Sequence, residues 1–251
     1  MLPDVTTVTN DSLMLWVMHR FSVVFKDHAL LKGGMQLMLL NSHRATNDID
    51  YVFSPFKSKK EVEEDIDVIL QELIGAKFEK SMHSNTGRYL VEFGDAKVQI
   101  EYNVSMNVKS ESVSTKLLAE KVGVLPKVIR VMASDVALSH KIAAWNERRL
   151  IRDLYDVYFW VVNSGVKPDF PTLTTRLSSV NSRLPKLKKV NTMTLAEFCQ
   201  EFHSYLDSID EQIFVSQLQA LVPRSELEGQ FIIFRSNLKK FIATIEVEAA
   251  K

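Results

Sequence analysis

Asp48 and Asp50 flank Ile49 at the head of an apolar run, Asp48–Phe53. In a strand, residues two apart point to one face, so both carboxylates project together while Ile49 turns into the core. Two adjacent carboxylates are the ligand set that a Mg²⁺ pair needs beside a nucleoside triphosphate. Upstream, Lys32-Gly33-Gly34 follows a short apolar strand, 28–31, and opens a short predicted helix, 35–40. Glycines there let the backbone approach phosphates closely, and a helix N-terminus favours negative charge. Taken singly, each half has a bland reading: a helix-opening turn, and a strand with solvated acids. In the order strand, glycine pair, short helix, polar loop, Asp-x-Asp strand, they become specific.

The elements that must position these residues are legible from periodicity. Residues 11–25 carry apolar side chains at 13, 14, 17, 21, 24 and 25, a helical spacing, with Asp11 or Ser12 as the expected N-cap. Residues 57–74 form a charged amphipathic helix with Val62, Ile66, Ile69, Leu70 and Leu73 on one side, ended by Gly75. Residues 88–93 and 97–104 alternate and are joined by Gly94-Asp95-Ala96, a β-hairpin. Strands mixed with helices indicate an α/β or α+β domain. After Ser134-Asp135 helical periodicity dominates, with candidate helices at 136–145, 151–162, 195–209, 211–221 and 228–245. Residues 168–190 begin as loop, with prolines at 168, 171 and 185. Two domains are expected: residues 1–130, and an all-helical bundle over 131–251.

Composition narrows the function. The 251 residues carry 31 Lys+Arg against 31 Asp+Glu, a net charge of +0, which excludes a strongly basic nucleic-acid coat but not a local basic face. Apolar residues at 46% and charged residues at 25% exclude wholesale disorder. The single cysteine, Cys199, excludes an intramolecular disulfide and a Cys-based zinc site, and suits a reducing cytoplasm. The start, Met1-Leu2-Pro3-Asp4-Val5-Thr6, shows no targeting signal, and the apolar stretch 13–25 is interrupted by His19 and Arg20. A soluble cytoplasmic protein is the expectation, with no membrane partner.

Gly-Gly, a spacer and Asp-x-Asp resemble the signature of the polymerase-β-like nucleotidyltransferase superfamily. The fuller string Lys32-Gly33-Gly34 … Arg44-x-Thr46-x-Asp48-Ile49-Asp50 resembles the AbiEii/AbiGii-type nucleotidyltransferases, the toxin halves of bacterial toxin–antitoxin and abortive-infection systems. A second run, Lys141 … Arg148-Arg149 … Arg152-Asp153-x-x-Asp156, resembles that family's downstream motif. The resemblance implies a nucleotidyltransferase domain with a mixed sheet, followed by a helical bundle. It implies an NTP substrate, Mg²⁺ or Mn²⁺, an antitoxin protein encoded nearby, and RNA, particularly a tRNA 3′ end, as acceptor. It gives Gly33, Gly34, Arg44 and Thr46 to nucleotide binding, and Asp48 and Asp50 to the metal. It gives Lys141 to phosphate neutralisation and Asp153 to orienting that lysine or the nucleotide. Asp156 either joins them or braces its helix. Where the family commonly has a small hydroxyl residue after the glycines, this chain has Met35.

The superfamily usually adds a third carboxylate on a neighbouring strand. Glu101 is the candidate, since Gln99, Glu101 and Asn103 share one face of their strand and Val98, Ile100 and Tyr102 the other. It would serve as metal ligand and as base for the attacking hydroxyl; the plain reading is a solvent-facing hairpin residue. Arg176, Arg183, Lys186, Lys188 and Lys189 lie in a segment without acids, and Arg148 and Arg149 add charge, a candidate RNA contact set whose plain reading is a solvated face. Two alternatives stand beside RNA transfer: the same chemistry on a small-molecule or protein acceptor, and a non-catalytic binding module on the same scaffold.

Overall fold

The computed structural model describes residues 8–84, 86–185 and 187–250 and divides into two units, Met1–Ala133 and Ser134–Lys251. The opening residues read above for a targeting signal, and Lys186, lie outside the described residues.

In the first unit, helix α1 (Asn10–Val24) starts at Thr9 rather than at Asp11 or Ser12. The Thr9 hydroxyl accepts from Ser12 N, while the Ser12 hydroxyl accepts from Thr9 N, so both orphan amides are satisfied reciprocally. Strand β1 (Ala29–Lys32) runs directly into helix α2 (Gly33–Leu39), and a loop leads to β2 (Asp48–Phe53). Helix α3 (Lys60–Gln71) is shorter than its periodicity predicts, because the Glu61 carboxylate accepts from the Lys57 and Ser58 amides and holds them in a turn. Strands β3 (Lys77–Met82), β4 (Gly87–Phe93), β5 (Ala96–Val104) and β6 (Ser110–Ser114) follow, then helix α4 (Lys116–Val122) and β7 (Val128–Met132).

The strands form one mixed seven-stranded sheet in the order β3-β4-β5-β2-β1-β7-β6. β2 pairs parallel with β5, and β1 pairs antiparallel with β2 and parallel with β7. One sheet face is apolar. Ile49, Tyr51 and Phe53 from β2, with Val98, Ile100 and Tyr102 from β5, join Leu13, Val17 and Phe21 of α1 and Val62, Ile66 and Ile69 of α3 in a single core. Alternation then obliges residues 48 and 50, and 99 and 101, to lie on the opposite face.

The second unit is helical throughout its described elements. It comprises α5 (Ser134–Arg148), α6 (Ile151–Tyr158) continued by a π-turn (Phe159–Asn163), α7 (Phe170–Leu177), α8 (Leu195–Ser208), α9 (Glu211–Leu218) and α10 (Phe231–Ala249). Its interior holds Trp145, Trp160, Phe198, Phe202, Phe214 and Phe234. Helix α7 lies where loop was expected: Asp169 caps it, accepting from Thr172 N at 3.0 Å, and Pro171 sits in its first turn, where a missing amide costs nothing. Among the described residues no helix is long and apolar enough to cross a membrane.

Candidate active site

The polar face of the sheet gathers the predicted acids. In the β2–β5 register Asp48 stands beside Gln99 and Asp50 beside Glu101, and in the β1–β2 register Asp50 faces Lys32. Ile49 is wholly buried, Asp50 half-buried and Asp48 exposed. Glu101 is held in place. Its Oε1 accepts from Arg88 Nη2 at 2.6 Å, Arg88 Nε at 2.9 Å and Gln99 Nε2 at 3.1 Å. The sequence gives Arg88 a place in the hairpin but no functional role, although the register sets it opposite Glu101.

The glycine pair has a steric reason in this fold. Gly33 sits at φ +76°, and a Cβ there would overlap the Asp50 carboxylate. A Cβ on Gly34 would overlap the Arg44 guanidinium and lie 3.2 Å from Thr46 Oγ1. Glycine thus lets Asp50, Arg44 and Thr46 close onto the start of α2. Arg44 is buried, and Thr46 Oγ1 also accepts from Asp48 N at 3.3 Å, fixing the turn that leads into β2. Met35 points into the core and is wholly buried, so the side chain after the glycines faces away from this surface.

In the second unit, Lys141 on α5 reaches two buried carboxylates of α6. Its Nζ is 2.7 Å from Asp156 Oδ2 and 4.0 Å from Asp153 Oδ1. Asp153 is instead clasped by Arg148, with Nη2 to Oδ1 at 2.7 Å and Nε to Oδ2 at 3.1 Å. The tight partner of the lysine is therefore Asp156. Arg149, at φ +56° between the two helices, stacks 4.4 Å over the Trp145 ring and pairs with Glu201 at 3.1 Å. Burial lowers its pKa from the usual arginine value. Arg176 pairs with Glu147 at 2.9 Å. Arg183, Lys188 and Lys189 are exposed.

Among the described residues no three His, Cys, Asp or Glu side chains form a metal cage. The donor set still suits Mg²⁺, which takes one or two carboxylates and completes its shell with water and substrate phosphates. Asp48 and Asp50 supply that pair of hard oxygen donors.

A mixed sheet bearing paired acids beside a glycine turn, with a helical unit after it, defines the nucleotidyltransferase class. The family model described as "Nucleotidyl transferase AbiEii toxin, Type IV TA system" matches residues 16–211, and the chain belongs to that family of nucleotidyltransferase toxins. Among solved structures, JHP933 from Helicobacter pylori is similar at 13% identity and TM-score 0.53, covering 96% of this chain and 92% of that one. A nucleotidyltransferase from H. pylori, described as putative, aligns at 13% identity and TM-score 0.49, with 94% and 96% covered. MenT4, the nucleotidyltransferase toxin Rv2826c from Mycobacterium tuberculosis H37Rv, aligns at 15% identity and TM-score 0.40, with 90% and 94% covered. No curated protein sequence matches the chain.

Proposed function

We propose that this toxin transfers an NMP from an NTP to a hydroxyl of RNA, with a tRNA 3′ end as the acceptor, in a Mg²⁺- or Mn²⁺-dependent reaction within a cytoplasmic toxin–antitoxin or abortive-infection system. The observation that carries the reading is the register that sets Asp50 beside Glu101 on the face shared with Asp48, against the bare backbone of Gly33.

Asp48 and Asp50 hold the divalent ion, which supplies charge neutralisation at the reacting phosphate when bound. Gly33, Gly34, Arg44 and Thr46 meet the phosphates. Glu101, oriented by Arg88 and Gln99, takes the proton of the attacking hydroxyl. The hydroxyl oxygen bonds to the α-phosphorus as the bond to the β-phosphate oxygen breaks, and pyrophosphate leaves. Lys141 neutralises phosphate charge, with Asp156 fixing its ammonium and Asp153, held by Arg148, orienting the nucleotide beside it. Arg183, Lys186, Lys188 and Lys189 contact the RNA backbone, and Arg148 and Arg149 serve the fold through their ion pairs. Those pairs also favour a second reading, in which the acceptor is a small-molecule or protein hydroxyl and needs no basic track. The helical unit that follows β7 carries Lys141 and Asp153.

The deciding experiment incubates the protein with Mg²⁺, each labelled NTP in turn and total tRNA, beside the Asp48→Ala/Asp50→Ala variant. Label on RNA with the wild type alone is the expected result. A tRNA pool left unlabelled by all four NTPs would remove tRNA as acceptor.

A further inference from the structure

Helix α6 and its π-turn border a cavity of about 340 Å³ that the transfer chemistry does not use. We propose that this cavity binds a nucleobase, held flat against aromatic rings and read along its edge by side-chain amides.

The walls come from three stretches of the second unit. Tyr155 and Tyr158 lie one turn apart on α6, and Phe214 and Phe234 complete the aromatic lining. The wall is a packed cluster of tilted rings: Tyr158 and Phe234 have ring centroids 5.4 Å apart, and Phe234 and Phe214 4.9 Å apart. Phe214 and Phe234 are buried, while Tyr155 and Tyr158 are only half-buried and keep surface open to a ligand. The π-turn widens the helix where it ends and brings Asn163 to the rim. Gln230 lines the opposite approach, just before α10.

The polar groups select the ligand. Asn163 and Gln230 each offer a donor and an acceptor on one planar amide, the pattern that matches a base edge. Glu226 adds a carboxylate able to accept from an exocyclic amine. No lysine or arginine is among the described residues that line the cavity, so an anionic group has no counter-charge inside. A nucleotide would therefore enter base first. Its phosphate would remain outside, on the side of Arg152, which is exposed one turn before Tyr155 on α6. Stacking on aromatic rings is how unpaired bases are generally held, and it tolerates any base. The chemistry is shared by a free nucleoside and by an unpaired base of RNA.

Saturation-transfer NMR on the full chain in EDTA tests this with four nucleosides, an unphosphorylated five-nucleotide single strand and a blunt RNA duplex. Saturation is expected on base protons, with affinity reduced at least fivefold in Asn163→Ala/Gln230→Ala and in Tyr158→Leu, and unchanged in Asp48→Ala/Asp50→Ala. Asn163 and Gln230 are exposed, so that double variant keeps its fold even if Tyr158→Leu does not. A strand binding at least tenfold tighter than nucleosides assigns the pocket to RNA, and equal affinity assigns it to free nucleosides or nucleotides. Base binding unaffected by the Asn163→Ala/Gln230→Ala change, a duplex binding as well as the strand, or no base saturation from any probe would overturn the proposal. The assay contains neither NTP nor metal, so failure of RNA to accept label in the transfer reaction leaves its outcome independent.

Discussion

Gly33 and Gly34 are neighbours with different constraints. Gly33 combines a left-handed backbone with the Asp50 carboxylate at its bare side, whereas Gly34 has ordinary dihedrals and meets the far end of Arg44. A methyl group at Gly33 must strain the backbone and push a proposed metal ligand aside. At Gly34 it displaces a long side chain that can swing. Gly33→Ala should therefore lose roughly 1–3 kcal/mol of stability, and Gly34→Ala clearly less. Both should depress NMP transfer, through Asp50 in one case and Arg44 in the other. Urea unfolding beside the transfer assay separates the effects; equal stability losses would show that the φ of Gly33 is not decisive. The acids and the glycine pair could be read from the chain because i, i+2 alternation and turn chemistry are local. The identity of the lysine's partner could not. Whether Asp153 or Asp156 reaches Lys141 depends on the angle between α5 and α6, set by Arg149 at φ +56°.

Among the elements, α7 shows how a helix can hide in a loop-like stretch. Pro171 reads as a breaker, yet in the first turn its fixed φ suits a helix, and Asp169 supplies the cap through Thr172 N at 3.0 Å and Thr172 Oγ1 at 2.6 Å. Replacing Asp169 with Ala should cost about 1 kcal/mol in a urea melt followed by circular dichroism, and Asp169→Asn much less. Loss of equal size in both variants would place the effect in charge rather than in capping. Two of the three strands absent from the sequence reading, β3 and β6, share a different cause. β3 and β6 are the sheet's two edges, with mostly polar residues, so neither shows the apolar alternation that revealed β4 and β5. Their pairing is a tertiary fact: β3 lies along β4, and β6 along β7. Arg88 is the converse, a residue within reach of the sequence. Once the hairpin at Gly94 is drawn, its register sets Arg88 opposite Glu101.

At the scale of the whole molecule, 31 cationic and 31 anionic residues cancel, so attraction to RNA must come from a local surface rather than from net charge. Arg183, Lys188 and Lys189 are exposed, whereas the remaining arginines of the candidate track hold acids of their own unit. Reversing those three to Glu should raise the KM for RNA and reduce the log–log salt slope by about 2, at ~0.7 per lost phosphate contact. An unchanged slope would move the RNA track elsewhere or favour a small acceptor. The response to acid has a separate origin. His19 on α1 shares a 2.9 Å hydrogen bond with Thr115, and burial, reinforced by the charge of Lys127, pushes its pKa down from 6.5 to about 4. Between pH 6.5 and 4 the unfolded chain binds a proton at this site that the folded chain refuses. Its contribution to stability is therefore complete above pH 6.5 and is lost as the pH falls through that window. His19→Gln can still hydrogen-bond Thr115 and does not titrate. Urea midpoints between pH 7.5 and 5 should fall for the wild type and run flatter for His19→Gln. Parallel curves would show that His19 is not the group responsible for the acid sensitivity in this range.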